Sequence, residues 1–591
     1  MDLLSQLAQL ESAEIVHRAA EDELAYLFKH ALMQDTAYAS LLRKTRRDIH
    51  LRVAQTIESL YADRLDENAA RLAEHYAQAG DDAKTLDYST RAGDAAARVY
   101  ANAEAVAYYS RAIDAAKRVV GLPDSSVLQA LYLKRGRELE LASQFPAALA
   151  NYSEMETLAH ERTDRALELS ALVAQCQIRC TANSEFDPAL GEPLAEQALR
   201  LARALPDPSA EAKILWILVN LYRFTERFAQ ARAAGEESLR IAREMGLREQ
   251  LGYTLNDLAH AYSFSGDSKR GRDLIQEATR VWRELGNAPM LADSLSTTSL
   301  YGTFTGEFDE ALTLSAEAHQ LSQSISNLWG QTYSLSTVGV VHWTRGDTAS
   351  AIPVLEETLR LSEQSGYPVP QFITRADLGL ALGSLGAFER GLAHARSAYE
   401  FANAHYAGLR GYAISALVQI YLEMDNLAQT TGAVGLFRDK AEATSPLFSF
   451  YEPLCDLRLA SAQAEHAHAF EISTRLLAQL REFNLRAFVP EALCYKGMAE
   501  HGLGQIDAAR ASLGQAHADA QALQARWQWW QIDGALASVE LDCGNRAEAK
   551  KLHEEGSVLI AYIADHAPVD LRASFLNLPR VKNWEDQYVG Q

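Results

Sequence analysis

The sequence predicts an all-α protein, a right-handed superhelix of about a dozen helical hairpins stacked in tandem. Three observations indicate this fold class. A turn signal recurs every 40 residues, apolar residues recur three and four positions apart as on one helix face, and no long stretch alternates apolar and polar residues as a strand would. Since a single hairpin cannot bury its apolar face alone, neighbouring units must stack.

The turn signal is clearest at four glycines, each inside a short polar stretch between two helical segments. Equivalent positions one period earlier and later are Glu226 and Asn426, and weaker copies lie near Ser143, Ser184, His466, Gly504 and Gly544. A second glycine series follows each second helix, where the left-handed conformation ends a helix at little cost. The first series is Gly266, Gly306, Gly346 and Gly386, and the second is Gly246, Gly286 and Gly366.

Each unit reads as two helices around such a turn. The first helix carries apolar residues at helical spacing, for example Leu255, Leu258, Ala259 and Tyr262. A small residue follows five positions after the turn residue, and we expect it to let the two helices approach closely. These small residues are Ala231, Gly271, Ala311, Ala351 and Gly391.

Composition narrows the function classes. The chain has 591 residues, 48% of them hydrophobic and 23% charged, which is ordinary for a soluble folded protein. A net charge of −22 disfavours nucleic acid as a partner, despite the local basic cluster in "RKTRRDIHLR". No membrane span or secretion signal is predicted, and five cysteines in this length are typical of a cytoplasmic protein.

The segment Leu255 to Ala278, "LNDLAHAYSFSGDSKRGRDLIQEA", shows the repeat best. Its Leu258, Ala259 and Tyr262 match the Leu-Ala-x-x-Tyr of the tetratricopeptide repeat, which this pattern resembles at a period of 40 rather than the usual 34. The family's proline at the end of the unit is missing. The long period is similar to the tetratricopeptide arrays of MalT-like regulators, and the resemblance covers roughly residues 125 to 560.

The first 120 residues resemble the helical segment that follows the ATPase in bacterial STAND-class signalling proteins. The matching pieces include Phe28 to Leu32, Ala37-Tyr38, Leu41-Leu42, Arg46-Arg47, His50, and the stretch from Leu72 to Gly80. The resemblance implies a helical adaptor over residues 1–120, a repeat solenoid over 121–570 and a C-terminal tail over 571–591.

The ATPase and cyclase activities of those relatives are not carried over. A phosphate-binding loop needs Gly-Lys-Ser/Thr, and the sequence contains no Gly-Lys pair. No Gly-x-Ser-x-Gly elbow is present either, and we predict no enzyme, no cofactor and no metal.

Several residues capable of chemistry have structural interpretations. Cys176 and Cys180 share a helix face without further ligands, and Cys455, Cys494 and Cys543 are isolated, so all five are predicted to be buried. His466 and His468 are interpreted as part of an exposed turn. His30, His50 and His75 are interpreted as half-buried packing histidines. "WQWWQ", Trp527 to Gln531, is predicted either to cover the exposed end of the array or to form a partner contact.

The candidate binding surface comes from the repeat register. In tetratricopeptide arrays the first helices line the concave face, where the family binds peptides or small ligands. An Asn, Arg and aromatic mixture suits an extended peptide, because amides bind its backbone and rings pack its side chains. The predicted surface consists of Trp216, Asn220, Arg223, Tyr253, Asn256, His260, Phe264, Tyr333 and Trp343.

The sequence therefore predicts a cytoplasmic, non-catalytic sensor or scaffold arm in bacterial signalling. Its expected partner is a protein or peptide, with a small effector as another option, and neither nucleic acid nor membrane is expected. One alternative is the C-terminal fragment of a multidomain signalling ATPase or nucleotidyl cyclase whose catalytic domains lie upstream. A third hypothesis is a purely structural assembly subunit.

Overall fold

The computed structural model describes residues 3–18, 26–119, 124–181, 183–366, 368–438 and 447–589. The chain divides into two compact units, Met1–Ile178 and Arg179–Gln591, and the division falls in the last turn of a helix, Arg165–Cys180. None of the helices in the described part of the chain combines the length and the apolar character that a membrane-spanning segment needs. Both units are helical almost throughout, which confirms the all-α solenoid.

The first unit begins with a helix and a short antiparallel hairpin, in which Val16 pairs with Phe28 and Arg18 with Tyr26. The sequence showed no sign of these three-residue strands, because alternation over so few residues is not distinctive. The elements are α1 Leu3–Ser12, β1 Val16–Arg18, β2 Tyr26–Phe28, α2 Ala31–Ser40, α3 Arg43–Leu60, α4 Ala69–Ala79, α5 Asp82–Arg98, α6 Asn102–Arg118, α7 Ser125–Leu141, α8 Phe145–Arg162 and α9 Arg165–Cys180.

The second unit continues the pattern of paired helices with two short 3-10 turns, Ala407–Leu409 and Arg486–Phe488. Its helices are α10 Pro188–Ala204, α11 Pro208–Phe224, α12 Phe228–Glu244, α13 Arg248–Phe264, α14 Ser268–Leu285, α15 Ala288–Thr305, α16 Phe308–Ser324, α17 Leu328–Leu335, α18 Val338–Thr344, α19 Thr348–Ser365, α20 Pro368–Ser384, α21 Phe388–His405, α22 Arg410–Glu423, α23 Leu427–Gly435, α24 Tyr451–Ala462, α25 His466–Glu482, α26 Val489–Gly502, α27 Ile506–Leu523, α28 Arg526–Asp542, α29 Arg546–Asp565, α30 Val569–Leu576 and α31 Pro579–Val589.

The predicted turns are where the helices break. Gly266 and the other three glycines of the first series are left-handed, and so are Gly246, Gly286 and Gly366. One period after Gly386 the left-handed residue is Asp425 rather than the predicted Asn426, and at one weaker copy it is Ala464 rather than His466. The 40-residue period therefore fixes the hairpin positions to within two residues.

The small residues after the turns allow the close approach that the sequence predicts. A Cβ at Gly391 would lie 2.8 Å from the Gly379 carbonyl oxygen, and one at Gly271 would lie 2.9 Å from the Ala259 carbonyl oxygen. An added Cβ would meet only backbone atoms at Gly391, and at Gly271 it would meet the Ser263 hydroxyl oxygen as well as backbone. A larger side chain at either position would therefore separate the two helices of the hairpin.

The later repeats of the second unit return onto the earlier ones. Arg486 donates from Nε to the Thr305 carbonyl at 2.9 Å, and Arg526 donates from Nη1 to the Arg345 carbonyl at 3.2 Å. Both contacts span 181 residues and lie one repeat apart, so the same contact is made twice along the superhelix. The concave side of the second unit is therefore partly enclosed by the unit itself.

The segment predicted as a C-terminal tail contributes to this enclosure. Phe575, Leu578, Val581 and Trp584 are buried in one cluster with Trp527 and Trp530. Arg580 on α31 forms an ion pair with Glu423 on α22 at 2.6 Å. The described part of this segment is thus two packed helices, whereas the division into adaptor, solenoid and tail stays a prediction.

Candidate ligand-binding cavity

The second unit contains a partly open cavity of about 910 Å³. Its wall is built from the first helices of successive hairpins, from α13 to α28, and it is completed by α31. The break between α17 and α18 also opens onto it, at Ser336 and Thr337. Ligand pockets in proteins typically measure 300–1,000 Å³, so this volume suits a small molecule.

Aromatic and aliphatic side chains form most of the wall. They contact one another across repeats, as in Phe304 with Phe448 at 5.9 Å between ring centroids and Trp343 with Trp527 at the same separation. The indole N–H groups of Trp343, Trp527 and Trp530 have no acceptor among the described residues. The wall is therefore apolar with a few hydrogen-bond donors that the protein itself does not use.

One buried ion pair crosses the wall between α24 and α26. Arg458 donates from Nε and Nη2 to the two carboxylate oxygens of Glu491, at 2.7 and 3.1 Å, and from Nη1 to the Ser415 hydroxyl at 2.8 Å. The fork geometry satisfies both partners. The pKa of Arg458 is raised despite its burial, since the Glu491 carboxylate stabilises the charged form.

A second ion pair joins α22 to α31. Glu423 accepts from Arg580 Nη1 at 2.6 Å, and the guanidinium lies 5.3 Å from the Trp530 ring centroid. Burial raises the pKa of Glu423, while Arg580 and Arg458 act in the opposite direction. Both arginines of the cavity wall are thus matched to a carboxylate.

Asp377 on α20 is the third acid of the wall, and it has no cation. It is 5% exposed, its Oδ1 accepts from the Tyr412 hydroxyl at 2.5 Å, and its Oδ2 accepts from none of the described residues. Burial raises the pKa of Asp377 to about 7, and the Tyr412 hydrogen bond only partly opposes this rise.

The predicted concave surface begins at α11 and α13, where its polar groups are bound by the protein itself. Asp257 Oδ2 accepts from Trp216 Nε1 at 2.6 Å and from Asn220 at 2.8 Å, and Arg223 donates to the Asn220 side-chain oxygen at 2.9 Å. Tyr253 packs against Trp216, with 5.3 Å between ring centroids. The structure therefore brings four of the predicted residues together around an aspartate that the sequence did not single out.

The remaining predicted residues have varied surroundings. Asn256 donates to Asp293 Oδ2 at 2.6 Å, and His260 Nδ1 lies 2.7 Å from the Tyr301 hydroxyl. Tyr333 shares a hydrogen bond with Thr297 at 3.0 Å. Phe264 and Trp343 line the cavity, and they are the only two of the nine that do so. The nine residues as one binding surface stay a prediction.

Burial determines the titration of this network. Burial and the neighbouring Asp257 carboxylate together raise the pKa of Asp293 to about 7. Burial and the nearby Arg223 charge hold the pKa of His260 well below its usual value. Both groups are therefore biased towards their neutral forms.

The repeat register connects the predicted surface with the cavity. Each predicted residue has an equivalent three periods, or 120 residues, later in the chain. The equivalents of Trp216, Asn220 and Arg223 are Ser336, Val340 and Trp343. The equivalents of Tyr253, Asn256 and His260 are Ile373, Ala376 and Leu380. All six of these later residues line the cavity. The same repeat positions therefore line the cavity three periods later, where more apolar residues leave space that the earlier repeats fill.

Three structural interpretations require correction. Trp527 and Trp530 line the interior cavity and neither covers an exposed end of the array nor lies free for a partner. Cys543 is exposed rather than buried, because it is the residue that ends α28. His30 is exposed, whereas His50 and His75 are half-buried and their Nδ1 atoms lie 2.9 Å apart.

One cluster in the described part of the chain has metal-ligand chemistry: His517, Asp533 and Glu555 on α27, α28 and α29. His517 Nδ1 lies 2.7 Å from Asp533 Oδ1, which is a hydrogen bond within an ion pair, and Glu555 lies 3.9 Å from Lys551. Protein partners account for this cluster without an ion.

Comparison with known proteins identifies no family: no protein-family model matches the chain, and no curated protein matches it. Among solved structures, BtubC (BKLC) from P. vanneervenii is 19% identical over 43% of this chain and 90% of its own, with a TM-score of 0.28. Yeast Tom70 is 13% identical over 78% of this chain and 97% of its own, with a TM-score of 0.31. Such low scores say nothing about function, which must be argued from the residues themselves.

Proposed function

We propose that this chain is a non-catalytic binding protein whose second unit takes a small, largely apolar molecule into its interior cavity. The observation that carries the proposal is the cavity itself, with a volume of about 910 Å³ and an aromatic wall. The charged residues described in its wall form ion pairs or lie apart, and among them none is arranged as a nucleophile beside a base.

The enclosure favours a small molecule over an extended peptide within this part of the solenoid. Phe264 packs on Phe448 with 5.8 Å between ring centroids, and Trp343 packs on Trp527. These contacts occupy the inner side of the first helices, where a peptide in a tetratricopeptide array would lie. A peptide remains the proposed ligand only for the surface around Trp216 and Arg223.

A test is to fill the cavity and measure uptake of the neutral fluorescent dye Nile red. Ala535 on α28 lines the cavity, and Ala535→Trp would place an indole in it. We expect the affinity for the dye to fall at least tenfold. Ala467→Trp is the matched control, since Ala467 is exposed on α25 and does not line the cavity. Equal dye affinity in both variants and the original chain would contradict the proposal.

The role that we propose for this binding is the sensor or scaffold arm of a cytoplasmic signalling system, with residues 1–120 as the relay to an ATPase in another chain or domain. Support comes from the first unit, where Leu32 on α2 and Leu42, which precedes α3, are each 77% exposed. They belong to a concentration of seven exposed large apolar side chains between Leu27 and Ile49. Such a concentration, unlike a single exposed residue, is characteristic of a surface that contacts another polypeptide.

Affinity capture of the full chain tests this relay. We expect an ATPase to be co-captured, and Leu32→Ser with Leu42→Ser to reduce its recovery severalfold. Val569→Ser is the control, because Val569 in the second unit is 94% exposed and has no part in the relay. Unchanged recovery in the double variant would show that these leucines do not bind the ATPase.

A further inference from the structure

We propose that the ligand of the interior cavity carries a protonated amine, held by the Asp377 carboxylate beside the rings of Tyr412 and Tyr451. This inference rests on the proposed function, since it names the chemical class of molecule that the same cavity takes. Three sets of observations support it: the partners of Asp377, the pairing of the other charges, and the aromatic rings around the carboxyl group.

The hydrogen bonds of Asp377 leave one carboxyl oxygen unused. Tyr412 donates to Oδ1, and no described residue donates to Oδ2. A buried polar atom without a partner costs free energy, so such atoms are rare in folded proteins unless a ligand or ordered water satisfies them. Oδ2 is itself buried, but Asp377 lines the cavity, so a rotation of its carboxyl group would bring the unused oxygen to a cavity ligand.

The surroundings of Asp377 explain why the protein supplies no second donor. Asp257 stands at the same repeat position and receives hydrogen bonds from Trp216 and Asn220 of the preceding first helix. The equivalent residues before Asp377 are Ser336 and Val340, and the Ser336 hydroxyl donates to the Tyr333 carbonyl instead. The two hydrogen-bond donors that contact Asp257 thus have no counterparts at Asp377, and the space that they would fill is part of the cavity.

The other charges of the wall cancel in pairs. Arg458 is matched by Glu491, and Arg580 by Glu423. Asp377 has no Lys, Arg or His within ion-pair distance among the described residues. His553 also lines the cavity, and burial lowers its pKa, which favours the neutral imidazole. The wall therefore carries one acid more than it has cations, which favours a cationic ligand over an anionic one.

Aromatic rings complete a site for an ammonium group. Tyr412 and Tyr451 meet edge to face at 5.4 Å between ring centroids, and Phe448 stacks on Tyr451 at 6.3 Å. An organic cation gains from aromatic faces as well as from a carboxylate, and both interactions strengthen when water is excluded. Burial raises the pKa of Asp377 to about 7, so an incoming cation would readily convert the acid into its carboxylate.

The experiment uses the full chain with Nile red in the cavity and three displacing probes of equal length: octylamine, 1-octanol and octanoate, at pH 8. We expect octylamine to displace the dye at least tenfold more effectively than 1-octanol, and octanoate to be the weakest. In Asp377→Asn the advantage of octylamine should disappear, while 1-octanol should act as before. Equal potency of octylamine and 1-octanol on the unmodified chain would overturn the amine proposal without requiring any variant.

Asp293→Asn is the matched control. Asp293 is similarly buried in the same unit, but it accepts a hydrogen bond from Asn256 and does not line the cavity. This variant should keep the preference for octylamine, and its loss there would contradict a specific role of Asp377. Displacement by 1-octanol tests the cavity alone. If no probe displaces the dye and Ala535→Trp has no effect, the proposed function itself fails.

Discussion

Asp257 and Asp377 occupy one position of the repeat, each nine residues before a turn glycine, yet their surroundings differ. Asp257 is tied to Trp216 and Asn220 of the preceding repeat, in a region filled by protein side chains. Asp377 has one protein donor and faces a cavity. The same helical scaffold thus builds a structural acid in one repeat and a candidate binding acid in another.

The difference lies in the neighbours rather than in the aspartate. The helix before Asp257 carries an indole and an amide that fill the space over this acid. The helix before Asp377 carries Ser336 and Val340 at the same positions, and these side chains leave the space open. A binding site in a repeat protein can therefore arise when large side chains at one repeat position are replaced by smaller ones, while the arrangement of the helices stays the same.

We expect the largest change in the free energy of unfolding at the cavity acids that form ion pairs with an arginine. Arg458→Met would leave Glu491 buried without its partner, and breaking a buried ion pair in this way costs about 3–5 kcal/mol. Urea denaturation followed by circular dichroism measures the change in the free energy of unfolding. Adding Glu491→Met should recover most of the loss, and a full loss in the double variant would contradict a simple pairing role.

The second prediction is that Asp377, unlike the acids in ion pairs, makes the stability of the protein depend on pH. A raised pKa of about 7 in the folded state, against about 3.9 in the unfolded chain, means that the folded state binds more protons between these values. Stability due to Asp377 is therefore present below pH 4 and lost as pH rises to 7. Asp377→Asn should remove this dependence and gain up to about 4 kcal/mol on the unmodified chain between pH 4 and pH 8.

Neighbouring groups do not account for that dependence. The pKa values of Tyr412 and Tyr451 are raised well above the ordinary value, and that of Arg458 is raised as well, so none of them titrates in this window. Urea denaturation of both chains at pH 5 and pH 8 measures the gain. The same stability difference at the two pH values would show that Asp377 is ionised throughout.

The smallest expected change in stability comes from truncating Asp257 or Asp377 to alanine at pH 8, and this pair of variants compares the two sites directly. Asp257→Ala would leave the Trp216 indole and the Asn220 amide without an acceptor, at a cost of about 2 kcal/mol. Asp377→Ala leaves only the Tyr412 hydroxyl, which borders the cavity, and should be neutral or stabilising. Thermal denaturation measures the stability of the two variants. If both substitutions destabilised the protein equally, the two acids would not differ in the way that we propose.

The repeat plan could be predicted from the sequence because it depends on local chemistry. Glycines at Gly266 and its equivalents signal left-handed turns, and small residues such as Gly391 signal close helix contacts, wherever the rest of the chain lies. The register of the inner wall also follows from this period, which is why the predicted surface and the cavity share their repeat positions.

The enclosure could not be predicted in the same way. Contacts such as Arg486 to Thr305 depend on how far each hairpin rotates relative to the last, and small rotations accumulate over several repeats. The sequence does contain one further signal: Asp377 directly precedes the apolar stretch "LGLALGSLG" on the same predicted helix. An acid in a buried helix face needs a partner, and asking for that partner would have pointed to the cavity.

The closing role of α31 has a consequence for the order in which the protein is made. Arg580 and Trp584 line the cavity together with residues encoded more than 200 positions earlier, such as Phe372. A chain emerging from the ribosome can form its hairpins one by one, but the aromatic wall stays incomplete until α31 has been released. Contacts at such sequence separation also slow folding, so the nascent array presents unburied aromatic surface for longer than a local helical bundle does.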